Sequence, residues 1–227
     1  MARPCSIVLI FILGTFLNAQ DATVRGVVNV VHNSKTKSGN ANVVVWLTSL
    51  ESKQIVSPGP VARLLQKDKQ FAPHMLVVAA GTTIEFPNRD PFFHDVLSIY
   101  HGKPFDLGLY ESGTARKVRF SEIGISYIFC NIHPEMSAVV VALATPHFAV
   151  SSIDGSFQIK HVPPGRYNLE VWYERASDSE LRPLSHEVEV RAGDNALPLI
   201  TLRPSETLHD HLNKYGEPYP LDKPSKY

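Results

Sequence analysis

The chain of 227 residues is short of cysteine, of surplus charge and of long apolar runs. Its 22 Lys and Arg are matched by 22 Asp and Glu. No basic surplus remains to neutralise phosphates, which argues against a nucleic-acid partner. Charged residues make up only 19% of the chain and hydrophobic ones 44%, the reverse of a disordered composition. The 13 Gly and 17 Pro follow no period, which excludes a collagen-like rod. The longest apolar run, Ser6 to Leu17, falls short of the roughly 20 residues that span a bilayer. At roughly 100–200 residues per domain, the length allows one large domain or two small ones.

That apolar run has a different meaning. Arg3 precedes it, Leu17-Asn18-Ala19 offers a small residue for cleavage, and Gln20-Asp21 follows. The pattern predicts a secretory signal peptide over residues 1–19. The protein is therefore expected to be periplasmic or extracellular, with no transmembrane segment after cleavage, and a monomer. Of the two cysteines, Cys5 lies within the leader, so the mature chain keeps Cys130 alone. A lone thiol in an oxidising compartment forms no internal disulfide and is a liability unless buried or occupied, and a metal would occupy it.

The rest reads as short strands bounded by Gly, Pro and Asn. They are Thr23–Val31, Asn42–Thr48, Met75–Ala79, Thr82–Phe86, Ala115–Phe120, Ile125–Cys130, Ser137–Leu143, Phe157–Lys160, Arg166–Tyr173, His186–Arg191 and Leu197–Leu202. Runs of this length with turn residues between them predict an all-β sandwich or barrel. No long helical period is capped at both ends. Residues 204–227, rich in Pro, Tyr, Lys and His, are expected to be an irregular tail on the surface.

The sharpest motif is Cys130-Asn131-Ile132-His133-Pro134-Glu135-Met136. It sets a thiolate, an imidazole and a thioether three residues apart, just after an apolar strand. A loop of that length can wrap all three around one point, and His94 offers a fourth donor. Each residue taken singly has an ordinary structural reading, as a small hydrophobe, a surface imidazole or a core filler. Together they are the ligand set of a blue-copper site, in which soft sulfur stabilises Cu(I) and imidazole accepts Cu(II). Zinc fits less well, because structural zinc sites use Cys, His and carboxylates and not Met.

Residues 61–145 resemble a cupredoxin, the family of plastocyanin, pseudoazurin and amicyanin. The resemblance rests on Phe71-Ala72-Pro73, Leu76-Val77-Val78, Gly81-Thr82-Thr83 and Phe86-Pro87-Asn88 before His94, and on the Cys-x-x-His-x-x-Met spacing with Pro134 after the histidine. It implies His94, Cys130, His133 and Met136 as ligands of one copper ion that alternates between Cu(I) and Cu(II). A Greek-key sandwich with the metal at one end is implied as well, with Met136 in the axial position. Asn88, Asp95 and Pro134 are expected to surround the ligands. Asp95 stands where the family usually has Asn. If ionised it is expected to favour Cu(II); if protonated, to bridge the two ligand loops. Ser126 stands where an aromatic is common. Phe92, Phe93 and Pro134 read equally as core or as the apolar patch where partners dock in this family.

The flanks resemble a carboxypeptidase-regulatory-like (transthyretin-like) sandwich in two halves, residues 20–60 and 146–203. The matching segments are Val24-Arg25-Gly26-Val27-Val28 and Ala41-Asn42-Val43-Val44-Val45, then Asp154-Gly155-Ser156-Phe157, Val162-Pro163-Pro164-Gly165-Arg166-Tyr167 and Ile200-Thr201-Leu202. Either the cupredoxin is inserted into this sandwich, or the extra strands pack with it as one body. His209 and His211 form a further paired-histidine candidate, while His74, His101, His147 and His161 read as surface or turn residues. No phosphate loop, nucleophile elbow or paired-His zinc helix is present, so the chain does not read as a hydrolase or other enzyme. The reading is an exported carrier of single electrons, with a dehydrogenase or cytochrome as transient partner. Its alternatives are a copper-delivery protein and a structural or binding module.

Overall fold

The computed structural model describes residues 21–31, 39–51, 56–99, 102–204 and 213–217. The leader with Cys5, and His101, His209 and His211, lie outside these residues. The architecture is all-β, as the strand pattern predicts, and one four-residue α-helix, Asp178–Leu181, interrupts the strands among the described residues.

The middle of the chain forms two facing sheets. One has the order Ala115–Phe120, Thr82–Pro87, Ala62–Arg63; the other runs Met75–Ala79, His133–Leu143, Gly124–Cys130, His94–Ser98, Phe105–Tyr110. A hairpin, Leu65–Lys67 with Gln70–Ala72, lies beside them. Between the sheets sit Leu64, Ile84, Phe86, Phe120, Ile128 and Val140, all fully buried.

Strands from the two ends of the chain form a second pair of sheets. Ala22–Val30 pairs with Ser156–Val162 on one side and, in parallel, with Gly193–Ala196 and Ile200–Leu202 on the other. The facing sheet has the order Phe148–Val150, Val44–Ser49, Gly165–Trp172, His186–Val190. The closing strand expected over Leu197–Leu202 is shortened to Ile200–Leu202, and a further strand, Gly193–Ala196, ends before Pro198, which has no N–H to offer the ladder.

The five-stranded sheet is covered on both faces. Along His133–Leu143 the even positions Met136, Ala138, Val140 and Ala142 face the middle core. The odd positions Val139, Val141 and Leu143 join the core of the end strands, together with Met75 and the partly buried Val77, Ile125 and Tyr127. A period of two sends alternate residues to opposite faces, so this β-branched run serves two cores at once. It reads as continuous apolar sequence for the reason that buried parallel strands do.

Several strands lack a sequence signal. His94–Ser98 is buried at all five positions, so its His-Asp-Val-Leu-Ser sequence shows no alternation. Ala62–Arg63, Leu65–Lys67 and Gln70–Ala72 are two or three residues long, too short for a period. Of the histidines expected at the surface or in turns, His74 and His147 lie between strands, His74 half-buried against Glu174 and His147 buried. His161 is exposed as expected.

Candidate metal centre

Register brings the donors together. Cys130 lies opposite Val96 on the neighbouring strand. Opposed residues share a face, as do residues two apart, so Cys130, Val96 and His94 point into the same end of the middle core. Asn131-Ile132 then turns the chain, and His133 pairs back with Cys130. The next paired positions are Phe129 and Ser137, which leaves Pro134-Glu135-Met136 as a bulge. Pro134 has no ladder donor to lose. The bulge keeps Pro134 and Glu135 exposed and returns Met136 to the interior, where it is fully buried with Cys130 and Val96.

The result is a tight cluster. Cys130 Sγ lies 3.5 Å from His133 Nδ1 and 3.7 Å from His94 Nδ1, and the two Nδ1 atoms are 3.2 Å apart. All three residues are buried, at 0–5% exposure. His94, Cys130 and His133 are the one group of metal-ligating side chains whose donor atoms converge in this way among the described residues.

Burial sets the protonation of the cluster. It pushes the Cys130 thiol up, although backbone N–H groups of Asp95, Ile132 and His133 work the other way. It pushes His94 down, against the pull of Asp90, and pushes His133 down together with the neighbouring His94. Neutral imidazoles present lone pairs, and a buried thiolate needs a compensating cation. A metal ion supplies that cation and takes those lone pairs. Two imidazoles, one thiol and one buried thioether make a donor set suited to one copper ion.

The surroundings of the cluster add two points that the sequence leaves open. Asp95 binds neither ring. Its Oδ2 accepts from Asn131 Nδ2 at 3.0 Å and from Lys214 Nζ at 3.2 Å, and its backbone oxygen accepts from Asn131 N at 2.8 Å. Lys214 N in turn donates to Asn131 Oδ1 at 3.0 Å. Asp95 thus bridges the two ligand loops through Asn131, with Lys214 Nζ beside it. This part of the tail is fastened to the ligand turn, which was not legible in its composition.

The second point is Asp90. It is 3% exposed, and its Oδ2 lies 2.9 Å from His94 Nε2. The sequence carries it only as an acidic residue four before His94, and nothing in that spacing marks a contact. Asn88 is buried and holds this loop: Nδ2 donates to the Phe92 oxygen at 2.8 Å, and Oδ1 accepts from Asp90 N at 3.0 Å. Phe92 is half-buried, with its ring centre 5.4 Å from those of both histidines, while Phe93 is 44% exposed. Ser126, buried, accepts from Lys103 N.

No family model matches the chain, and no curated protein matches it. Among solved structures the chain is similar to a novel purple cupredoxin from Nitrosopumilus maritimus, at 23% identity over 36% of this chain and 99% of that one, with a TM-score of 0.33. It is similar to amicyanin from Paracoccus versutus, at 21% identity over 43% of this chain and 97% of that one, TM-score 0.34. A Cu-containing nitrite reductase from Thermus scotoductus SA-01 overlaps at 23% identity over 51% of this chain but 28% of that one, TM-score 0.35.

Proposed function

We propose that the chain is an exported carrier of single electrons with one type 1 copper centre of the cupredoxin kind. Cys130, His94 and His133 are its strong donors and Met136 its weak one. The convergence of the three buried donor atoms within 4.8 Å of one another carries this reading. Bound copper supplies the one-electron couple. The protein supplies a fixed, dry enclosure: bulged and hairpin-paired strands hold both sulfurs, and a fully buried strand holds His94. Such a frame keeps the donors in place as charge changes. In this reading the protein makes and breaks no substrate bond.

Electrons reach the site most directly at His133, which lies against the Phe92 ring and between the exposed Ile132 and Pro134, while Phe93, next to Phe92 in the chain, is exposed as well. This apolar patch suits weak, transient docking of a redox partner such as a dehydrogenase or cytochrome. A cationic side chain approaches it, since Lys69 Nζ lies 5.7 Å from the Phe92 ring centre. Residues 20–60 and 146–203 form a carboxypeptidase-regulatory-like sandwich into which residues 61–145 are inserted. The parallel pairing of the first described strand with the last supports this division.

Voltammetry of copper-loaded residues 20–227, with a Cu(I) chelator present, tests the function. A reversible one-electron wave that persists through repeated cycles is expected. Loss of copper to the chelator on each reduction would replace the carrier with a copper-delivery protein.

A further inference from the structure

We infer that Asp90 is a positioning residue for the metal centre, an anion locked in place by a hairpin turn that holds His94 by its far nitrogen. The inference rests on the copper reading of the preceding section and concerns which charge reaches the metal.

The geometry begins at Asp68-Lys69. These two residues join Leu65–Lys67 to Gln70–Ala72 in a two-residue turn, and both sit in the left-handed region, at φ 55° and 54°. Such turns favour Asn and Gly, and other residues there carry strain. Their N–H groups have a common acceptor: Asp68 N donates to Asp90 Oδ1 at 2.6 Å and Lys69 N to Asp90 Oδ2 at 3.1 Å. The turn is an anion nest. Asp90 fills it, with Asn88 Oδ1 accepting from its N–H.

A carboxylate satisfied in this way has one strong use left. Oδ2 faces His94 Nε2 at 2.9 Å inside a buried site. A carboxylate only accepts, so Nε2 carries the proton, and Nδ1 presents its lone pair to Cys130 Sγ and His133 Nδ1. Carboxylate partners of this kind fix the tautomer and raise the basicity of a metal-bound histidine. Asp95, the nearer residue in sequence, has its charge met by Lys214. Asp90 is thus the carboxylate in direct contact with a ligand ring, and its negative charge there favours Cu(II).

The test compares Asp90→Asn and Asp90→Ala with the wild type, measuring Cu(II) and Cu(I) affinities by chelator competition. The thiolate-to-copper band of the wild type comes first: its absence overturns the copper reading itself, and its presence leaves this inference to be judged alone. Asp90→Asn is expected to weaken Cu(II) relative to Cu(I) about tenfold, equivalent to a potential about 59 mV higher. Asp90→Ala is expected to weaken Cu(II) roughly 10–100-fold. A Cu(II)/Cu(I) affinity ratio unchanged in a folded Asp90→Asn protein would overturn the inference. Should neither variant fold, nitrogen-15 NMR of the wild-type Cu(I) protein decides. A slowly exchanging proton on His94 Nε2 supports the inference, and a proton there that exchanges freely with water overturns it.

Discussion

The two hydrophobic cores are built from the same kind of strand and treat polar groups differently. The core of the end strands is apolar almost throughout, with Val24, Val28, Val44, Leu47, Ile159 and Leu169 at its centre. The core of the middle strands admits Gln66, Asn88, Asp90, His94, Asp95 and His133 as buried residues, gathered toward one end. A buried polar group costs free energy unless it is paired. The middle core can carry this load because its five-stranded sheet is braced from behind: Met75, Val139, Val141 and Leu143 are packed into the other core. One core stabilises, and the other holds chemistry in place.

The largest expected effect comes from separating the two. Excision of residues 61–145 would expose Met75, Val77, Val139, Val141 and Leu143, and each aliphatic side chain returned to water forfeits about 1.5–3 kcal/mol. The fragment is expected to aggregate or to unfold at much lower denaturant than the whole chain. A stable, monomeric fragment would show that the brace is dispensable. Within the intact chain, Leu169→Ala is expected to cost roughly 2–5 kcal/mol while leaving the spectrum of the folded, copper-loaded protein unchanged. Denaturant unfolding followed by absorbance reads both quantities in one sample.

These two cores were unequally legible. The alternating strands of the ends and the Cys130-to-Met136 motif follow simple periods and spacings, so they could be read directly. The strand that carries His94 could not, because burial on both faces removes alternation. Asp90 and Lys214 could not, because their partners are fixed by tertiary contacts: a turn 21 and 22 residues before Asp90, and a loop more than 80 residues before Lys214. The partner of His74 was hidden for the same reason. Its Nε2 meets Glu174 at 2.8 Å, 100 residues away.

Smaller effects sharpen the comparison at the border of the middle core. Lys214→Ala removes a quarter-exposed ammonium from Asp95 and Asp106. A cost of about 1 kcal/mol is expected, seen as faster hydrogen exchange at Asn131 N–H. Unchanged protection there would mean that the tail residue does not fasten the ligand turn.

The smallest effect is a pH dependence. Both nitrogens of His74 face acceptors, Glu174 Oε2 and Ser137 O, and the hydrogen bond to Glu174 raises its pKa despite burial. A raised folded pKa contributes stability that is fully present below the unfolded value, about 6.5, and is lost as pH rises through the folded value. After solvent screening the contribution is below about 1 kcal/mol. His74→Gln should therefore lower Tm at pH 5.5 and converge with the wild type above neutrality. A gap that widens with pH would reverse the assignment.

The central claim is that Cys130 joins His94 and His133 on one copper ion. Visible absorption and EPR of Cu(II)-loaded residues 20–227, compared with Cys130→Ser, test it most directly. An intense thiolate-to-copper band with narrow copper hyperfine splitting is expected, and it should vanish in the variant while the β fold persists. A colourless wild-type protein, or a spectrum identical in the two, would contradict the claim.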